Sequence, residues 1–109
     1  MAVASIKELF EDRIPQKLQS HPDVVAKIAA VFQFNVSGPE GGSWYVDCAH
    51  PGGKVSVGTS PEAKCTVAMK DGDLLAMVNG KLSPQMAFMT GKIKIQGDYG
   101  LAMKLQQVL

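Results

Sequence analysis

Phe32-Gln33-Phe34-Asn35-Val36-Ser37-Gly38-Pro39-Glu40-Gly41-Gly42-Ser43-Trp44-Tyr45-Val46-Asp47-Cys48 is the stretch on which the fold turns. Apolar and polar residues alternate from Phe32 to Val36, the period of a strand with one buried face. Ser37-Gly38-Pro39-Glu40-Gly41-Gly42 has the composition of a turn. The alternation resumes with Ser43, placing Trp44, Val46 and Cys48 on one face and Asp47 on the opposite, polar face, where exposure is expected. His50-Pro51-Gly52-Gly53 turns the chain again, and Lys54-Val55-Ser56-Val57-Gly58 reads as a third strand. After Thr59-Ser60-Pro61, the run Ala63-Lys64-Cys65-Thr66-Val67-Ala68-Met69 alternates as a fourth. Four strands joined by tight turns predict an antiparallel meander with one polar face.

Towards the N-terminus the period changes to that of a helix. Ile6, Leu9, Phe10, Ile14 and Leu18 form an apolar stripe, with Lys7, Glu8, Glu11, Asp12 and Lys17 largely off it. Pro15 predicts a kink or break near Arg13-Ile14. Ser20-His21-Pro22-Asp23 reads as the entry to a short second helix that offers Val24, Val25 and Ile28 to the core.

Towards the C-terminus, Asp71-Gly72-Asp73 supplies N-caps for a helix carrying Leu74, Leu75, Met77 and Val78. Asn79-Gly80 reads as its C-cap, with Gly80 left-handed. Ser83-Pro84 opens a further helix with Met86, Phe88 and Met89, ending at Gly91. Lys92-Ile93-Lys94-Ile95-Gln96 is a fifth strand, which two intervening helices allow to pair parallel to an earlier one. A final helix follows Gly97-Asp98-Tyr99-Gly100, with a stripe of Leu101, Leu105, Val108 and Leu109. The expectation is a single α+β domain over residues 1–109, its helices covering one face of a mostly antiparallel sheet.

Composition narrows the function. The 109 residues carry 11 Lys+Arg against 10 Asp+Glu, too balanced for a dedicated nucleic-acid binder, and no nucleic-acid partner is expected. Hydrophobic residues make up 46%, enough for one core but without a run long enough to span a bilayer. The N-terminal residues show no secretory pattern, so an intracellular protein is expected. Cys48, Cys65, His21 and His50 lack metal-site spacing, and two buried, reduced strand cysteines are the simpler reading. No metal and no cofactor are expected. GxSxG, GxGxxG, the phosphate-loop motif and HExxH are all missing, and most carboxylates stand where they cap helices or turns. No catalytic residue is expected.

The methionines are the remaining signal. Six Met stand beside four Phe, two Tyr and one Trp, and Met69, Met77, Met86, Met89 and Met103 all fall in the C-terminal half. Met fills irregular core gaps, and it equally makes an adaptable wall for a long apolar ligand. The helices that carry most of them are short and depend on tertiary packing, so such a layer could open.

The run Asp71-Gly72-Asp73-Leu74-Leu75-Ala76-Met77-Val78-Asn79-Gly80-Lys81-Leu82-Ser83-Pro84-Gln85-Met86-Ala87-Phe88-Met89-Thr90-Gly91-Lys92-Ile93-Lys94-Ile95-Gln96-Gly97 resembles the signature of the sterol carrier protein 2 (SCP2) family. Leu101-Ala102-Met103-Lys104-Leu105 continues the likeness, and Val31-Phe32-Gln33-Phe34 and Trp44-Tyr45-Val46-Asp47 agree more loosely. The resemblance implies a five-stranded sheet covered by about five short helices, with an apolar tunnel between the layers. It implies non-catalytic binding and intracellular transfer of fatty acids, fatty acyl-CoA, sterols or phospholipids by a monomer in transient contact with membranes. Carried onto this chain, the lipid-binding candidates are Phe32, Phe34, Trp44, Val46, Leu75, Val78, Met86, Phe88, Met89, Met103 and Leu105. Arg13 and Gln85 are candidates to meet a headgroup at a tunnel mouth, against the plainer reading of solvated side chains. The chain ends Gln107-Val108-Leu109, without the Ser-Lys-Leu type of peroxisomal signal found in many family members. A cytoplasmic protein, one domain of a larger protein, or a lost tail each fits that departure. A protein-interaction or substrate-presenting domain without a cavity, accessory to an oxidoreductase or a membrane protein, is the alternative function.

Overall fold

Ser5 starts the first helix by accepting the Glu8 N–H on its hydroxyl oxygen at 3.1 Å. The computed structural model describes residues 3–50 and 53–105, without the side chains of 102 and 105. Helix α1 (Ile6–Glu8) runs through a π-helical turn (Leu9–Arg13) into α2 (Ile14–Ser20). Of the kink or break expected near Arg13-Ile14, the break does not occur. Instead the Ile14 N–H bonds to the Leu9 carbonyl, five residues back. The widened turn just before Pro15 makes room for a ring that would clash with a regular preceding turn. The helix therefore stays continuous, and Ile6, Leu9, Phe10, Ile14 and Leu18 are all buried. Helix α3 (Pro22–Ile28) buries Val24, Val25 and Ile28 as expected, and ends on Ala29 in the left-handed region.

The five strands are β1 (Val31–Ser37), β2 (Gly42–Asp47), β3 (Lys54–Val57), β4 (Cys65–Lys70) and β5 (Ile93–Gly97), in the sheet order β3-β2-β1-β4-β5. The two hairpins β1–β2 and β2–β3 are antiparallel, as the alternating segments and their turns predict. The four-strand meander is not found. β4 leaves β3 behind and pairs parallel to β1, with Phe32 opposite Cys65 and Val36 opposite Met69. The connecting segment lies against the side of β1 away from the helices, where Gln33 holds it. The Gln33 Nε2 donates to the Gly58 carbonyl at 3.0 Å, and its Oε1 accepts the Ser60 N–H at 2.9 Å. Gln33 is 3% exposed, a polar residue buried beneath that segment rather than in the apolar core.

β5 also departs from expectation, pairing antiparallel to β4 with Ile93 opposite Met69 and Gly97 opposite Cys65. Helices α4 (Asp71–Val78) and α5 (Pro84–Met89) return the chain to the end of β4 that it left, so β5 must run back along β4. Gly97, at φ +97°, closes that pairing against the Lys64 carbonyl, where a Cβ would collide, and Asp98 N–H then bonds to the same oxygen. Helix α6 (Tyr99–Leu105) ends the described chain; Val108, Leu109 and the Leu105 side chain lie outside the described residues. Asp71 differs from its predicted capping role, since Lys70 occupies the N-cap. Its carboxylate instead accepts the N–H groups of Gly72 and, across the β1–β2 turn, Glu40, which hold it below the usual carboxylate range.

Phe32, Phe34, Val36, Val46, Cys65, Val67, Met69 and Ile93 are buried on one face, while Asn35, Ser37, Lys70, Lys94 and Gln96 are exposed on the other. The sheet is five-stranded and mostly antiparallel, with the helices on its apolar face, as expected from the sequence.

Candidate functional site

The helix layer is closed over one half of the sheet and loose over the other. On the closed side, Phe10 stacks on Trp44 with ring centroids 4.5 Å apart and planes 3° from parallel. It meets Phe34 edge-on at 5.2 Å. These three rings, with Leu9, Ile14 and Leu18, leave no apolar face of the N-terminal helix uncovered.

On the other side, α4, α5 and α6 lie over β4 and β5 as short helices set by local chemistry. Gly80 (φ +78°) ends the α4 turn in the left-handed region, as predicted. Asn79 ties that end to the N-terminus by donating to the Val3 carbonyl at 2.9 Å and accepting its N–H at 2.7 Å. Ser83 caps α5 by accepting the Met86 N–H at 3.1 Å, and Pro84 follows at the first position, both as predicted. Here packing is incomplete. Leu75, Met77, Val78, Leu82, Ile95 and Leu101 pack against the core yet stay partly open. α5 buries only Ala87 and exposes Met86 (51%), Phe88 (50%) and Met89 (70%). Met103 on α6 is 66% exposed, and Tyr99 meets Phe88 edge-on at 5.8 Å. An apolar seam at the α4–α6 layer that stays partly open is a surface suited to an apolar ligand.

The eleven residues expected to contact lipid therefore fall into three groups. Phe32, Phe34 and Val46 are fully buried, and Trp44 is half-buried beneath Phe10. Leu75 and Val78 are half-buried on α4, at the seam. Met86, Phe88, Met89 and Met103 stand on its exposed side, and the Leu105 side chain lies outside the described residues. Leu82, Ile95 and Leu101 join the seam without having been singled out; the shared phase of Ile93 and Ile95 was the available signal for Ile95. Arg13 is half-buried in the π-helical turn, whereas Gln85 is exposed on α5, so they stand on separate elements.

The other cluster of reactive side chains is Asp47, Cys48 and His50. Asp47 closes β2 and is less exposed than its strand phase predicts, because its carboxylate accepts the Ala49 N–H at 2.8 Å and meets His50 Nδ1 at 2.7 Å. A cysteine beside a His–Asp pair resembles a nucleophile–base arrangement, but its electrostatics run the wrong way. Burial, then the Asp47 charge, pushes the Cys48 thiol up to about 11, and burial with the Asp98 charge raises Cys65 as well. A catalytic thiol needs the opposite shift. Both cysteines are buried and free, in agreement with the sequence. At pH 8 only about one Cys48 in a thousand would be thiolate, so Ellman's reagent is expected to label neither cysteine in the native chain and both after unfolding in denaturant. Rapid native labelling would contradict this assignment. Among the described residues no cluster of His, Cys, Asp and Glu suits a metal, and no helix is long and apolar enough to cross a membrane.

A family model described as the SCP-2 sterol transfer family matches residues 8–109. Sterol carrier protein 2 of Gallus gallus is 44% identical over 99 residues, which are 87% of this chain and 18% of that protein. The chain thus spans less than a fifth of that curated relative. The crystal structure of sterol carrier protein 2 like 2 from Aedes aegypti aligns with a TM-score of 0.78 at 31% identity, covering 94% of each chain. A solution structure of the palmitated protein from the same species aligns with a TM-score of 0.69 at 28% identity, covering 96% of this chain and 94% of that one.

Proposed function

This chain belongs to the SCP-2 sterol transfer family, and from that premise we propose that it binds and carries lipids without catalysing a reaction on them. The apolar part of a fatty acid, acyl-CoA, sterol or phospholipid enters between the α4–α6 layer and β4–β5. The observation that supports this reading most is the unequal packing of the two halves. The apolar stripe of the N-terminal helix is fully buried, while the C-terminal layer leaves Leu75, Val78, Leu82, Ile95 and Leu101 partly open. The palmitated relative has the same fold.

The energetics suit a carrier of broad specificity. Each buried methylene contributes about 0.8 kcal/mol, so a dozen supply roughly 10 kcal/mol. Association costs on the order of 4–15 kcal/mol offset much of that. Affinity then depends on chain length more than on headgroup, and the ligand can leave again. Met77, Met86, Met89 and Met103 add side chains that repack around different shapes.

Titration with a fluorescent fatty acid is expected to saturate at a fixed stoichiometry, and native mass spectrometry of the purified chain is expected to show retained lipid. Ile95→Glu, which puts a charge into the seam, is expected to weaken fatty-acid binding by on the order of tenfold or more. Absence of saturable binding to fatty acid, acyl-CoA and sterol alike would sink the proposal.

A further inference from the structure

Asn79 stands where the loose helix layer is tied to the closed half. Its Nδ2 donates to the Val3 carbonyl at 2.9 Å and its Oδ1 accepts the Val3 N–H at 2.7 Å, a reciprocal latch between residues 76 positions apart. Val3 is 4% exposed and belongs to the apolar core, just ahead of Ser5 and α1. Asn79 directly follows Val78 and bonds through its own N–H to the Leu75 carbonyl, so the latch bears on the half-buried residues of the seam. The same asparagine precedes Gly80, which is exposed and where a Cβ would meet nothing within 4 Å.

An asparagine followed by glycine carries an electrophile and a nucleophile side by side. The Gly80 nitrogen can attack the Asn79 side-chain carbon with no side chain in its way, once the two are aligned. The folded turn opposes that alignment: Val3 engages both polar atoms of the Asn79 side chain, and the Gly80 N–H bonds to the Met77 carbonyl at 3.2 Å. Cyclisation therefore waits on local opening of the latch.

We propose that Asn79 is a self-modification site, whose conversion to aspartate or isoaspartate unlatches α4 from the N-terminal segment. The bond from Gly80 N to Asn79 Cγ forms, the Cγ–Nδ2 bond breaks, and Nδ2 leaves as ammonia with the proton lost by the Gly80 amide. Water then opens the cyclic imide at either carbonyl. The product still accepts the Val3 N–H but has no donor for the Val3 carbonyl, so two oxygens face each other where a 2.9 Å bond stood. The Ala4 N–H is already taken by the Glu8 carboxylate, so the new negative charge arrives beside an existing one. The consequence for lipid rests on the carrier reading: a less firmly held α4 closes the seam less well, and bound lipid leaves faster.

Ageing the native chain in mildly alkaline buffer, followed by peptide mapping, tests it. Asn35, the other asparagine, precedes the branched Val36, which hinders the same attack, and is the internal reference. Conversion at Asn79 is expected to exceed that at Asn35, and to run roughly tenfold slower than in denaturant, where the latch is gone. The aged chain is expected to show faster amide exchange at Val3 and several-fold faster release of a fluorescent fatty acid, and fresh Asn79→Asp is expected to reproduce both. Asn79→Ala, which cannot cyclise, is expected to exchange fast from the start and not to change with age. Native conversion that is undetectable, or as fast as in denaturant, would overturn the proposal. Conversion and unlatching without fatty-acid binding sink the carrier reading alone. Fatty-acid binding with Val3 exchange unchanged by conversion sinks the modification site alone.

Discussion

Phe10→Ala is expected to destabilise the chain by about 3–5 kcal/mol, the range for removing a fully buried aromatic ring. Phe10 is 1% exposed, stacks flat on Trp44 and meets Phe34 edge-on, so its loss takes contacts from two neighbours and leaves a cavity between the first helix and β1–β2. A domain of this size has a total stability of about 5–15 kcal/mol, and the variant would keep only a fraction of that. Urea unfolding followed by the single tryptophan is a direct readout, because Trp44 loses its covering ring. The folded variant is also expected to show red-shifted emission. Met89→Ala, on the exposed side of α5, is the contrasting control and is expected to stay within about 0.5 kcal/mol of the parent. A loss below about 1 kcal/mol for Phe10→Ala would mean that the closed half is not the stabilising core. The two variants together separate the half that stabilises the domain from the half left open to ligand.

Gln33→Leu is expected to cost about 2–4 kcal/mol, although it puts an apolar residue at a buried strand position. The amide of Gln33 donates to the carbonyls of Gly58 and Trp44 and accepts the Ser60 N–H. Leucine would leave the Gly58 carbonyl and the Ser60 N–H without those partners and lose the clamp on the segment leading into β4. Destabilisation should therefore come with loosening of residues 58–64, seen as faster amide hydrogen exchange of Ser60 relative to the β1–β2 hairpin. A neutral or stabilising effect, with Ser60 exchange unchanged, would show that the crossover is held by the β1–β4 ladder alone.

Gln33 also marks where the sequence ceased to be readable. Its polar side chain in an alternating strand assigns it to the solvated face, and it does occupy that phase. Its burial comes from a segment 25 or more residues later in the chain, which no local pattern announces. Asp47 is similar on a smaller scale, since the turn that follows folds His50 back onto its carboxylate. Pro15 signalled a disturbance in the first helix, but the choice between a break and a widened turn went to the one that kept Ile6, Leu9, Phe10, Ile14 and Leu18 together in the core. The seam was legible as a set of apolar positions, and the resemblance named Leu75 and Val78 among them. Which of them would be closed, half-open or exposed was not legible. On α5, burial of Ala87 turned Met86, Phe88 and Met89 outward although all three suited a core.

The sequence by itself determined the five strands, most helix ends, the reduced buried cysteines and the apolar character of the C-terminal layer. Alternation, helical period, caps and turn residues act over a few positions, so the chemistry that decides these features lies within each segment. Only the tertiary structure decided that β4 runs parallel to β1, that β5 returns antiparallel to β4, and that one half closes while the other stays open. Strand partners and packing density depend on contacts between residues far apart in the chain. The same alternating strand satisfies its hydrogen bonds beside either neighbour, and the helices and side chains that cover it decide between them.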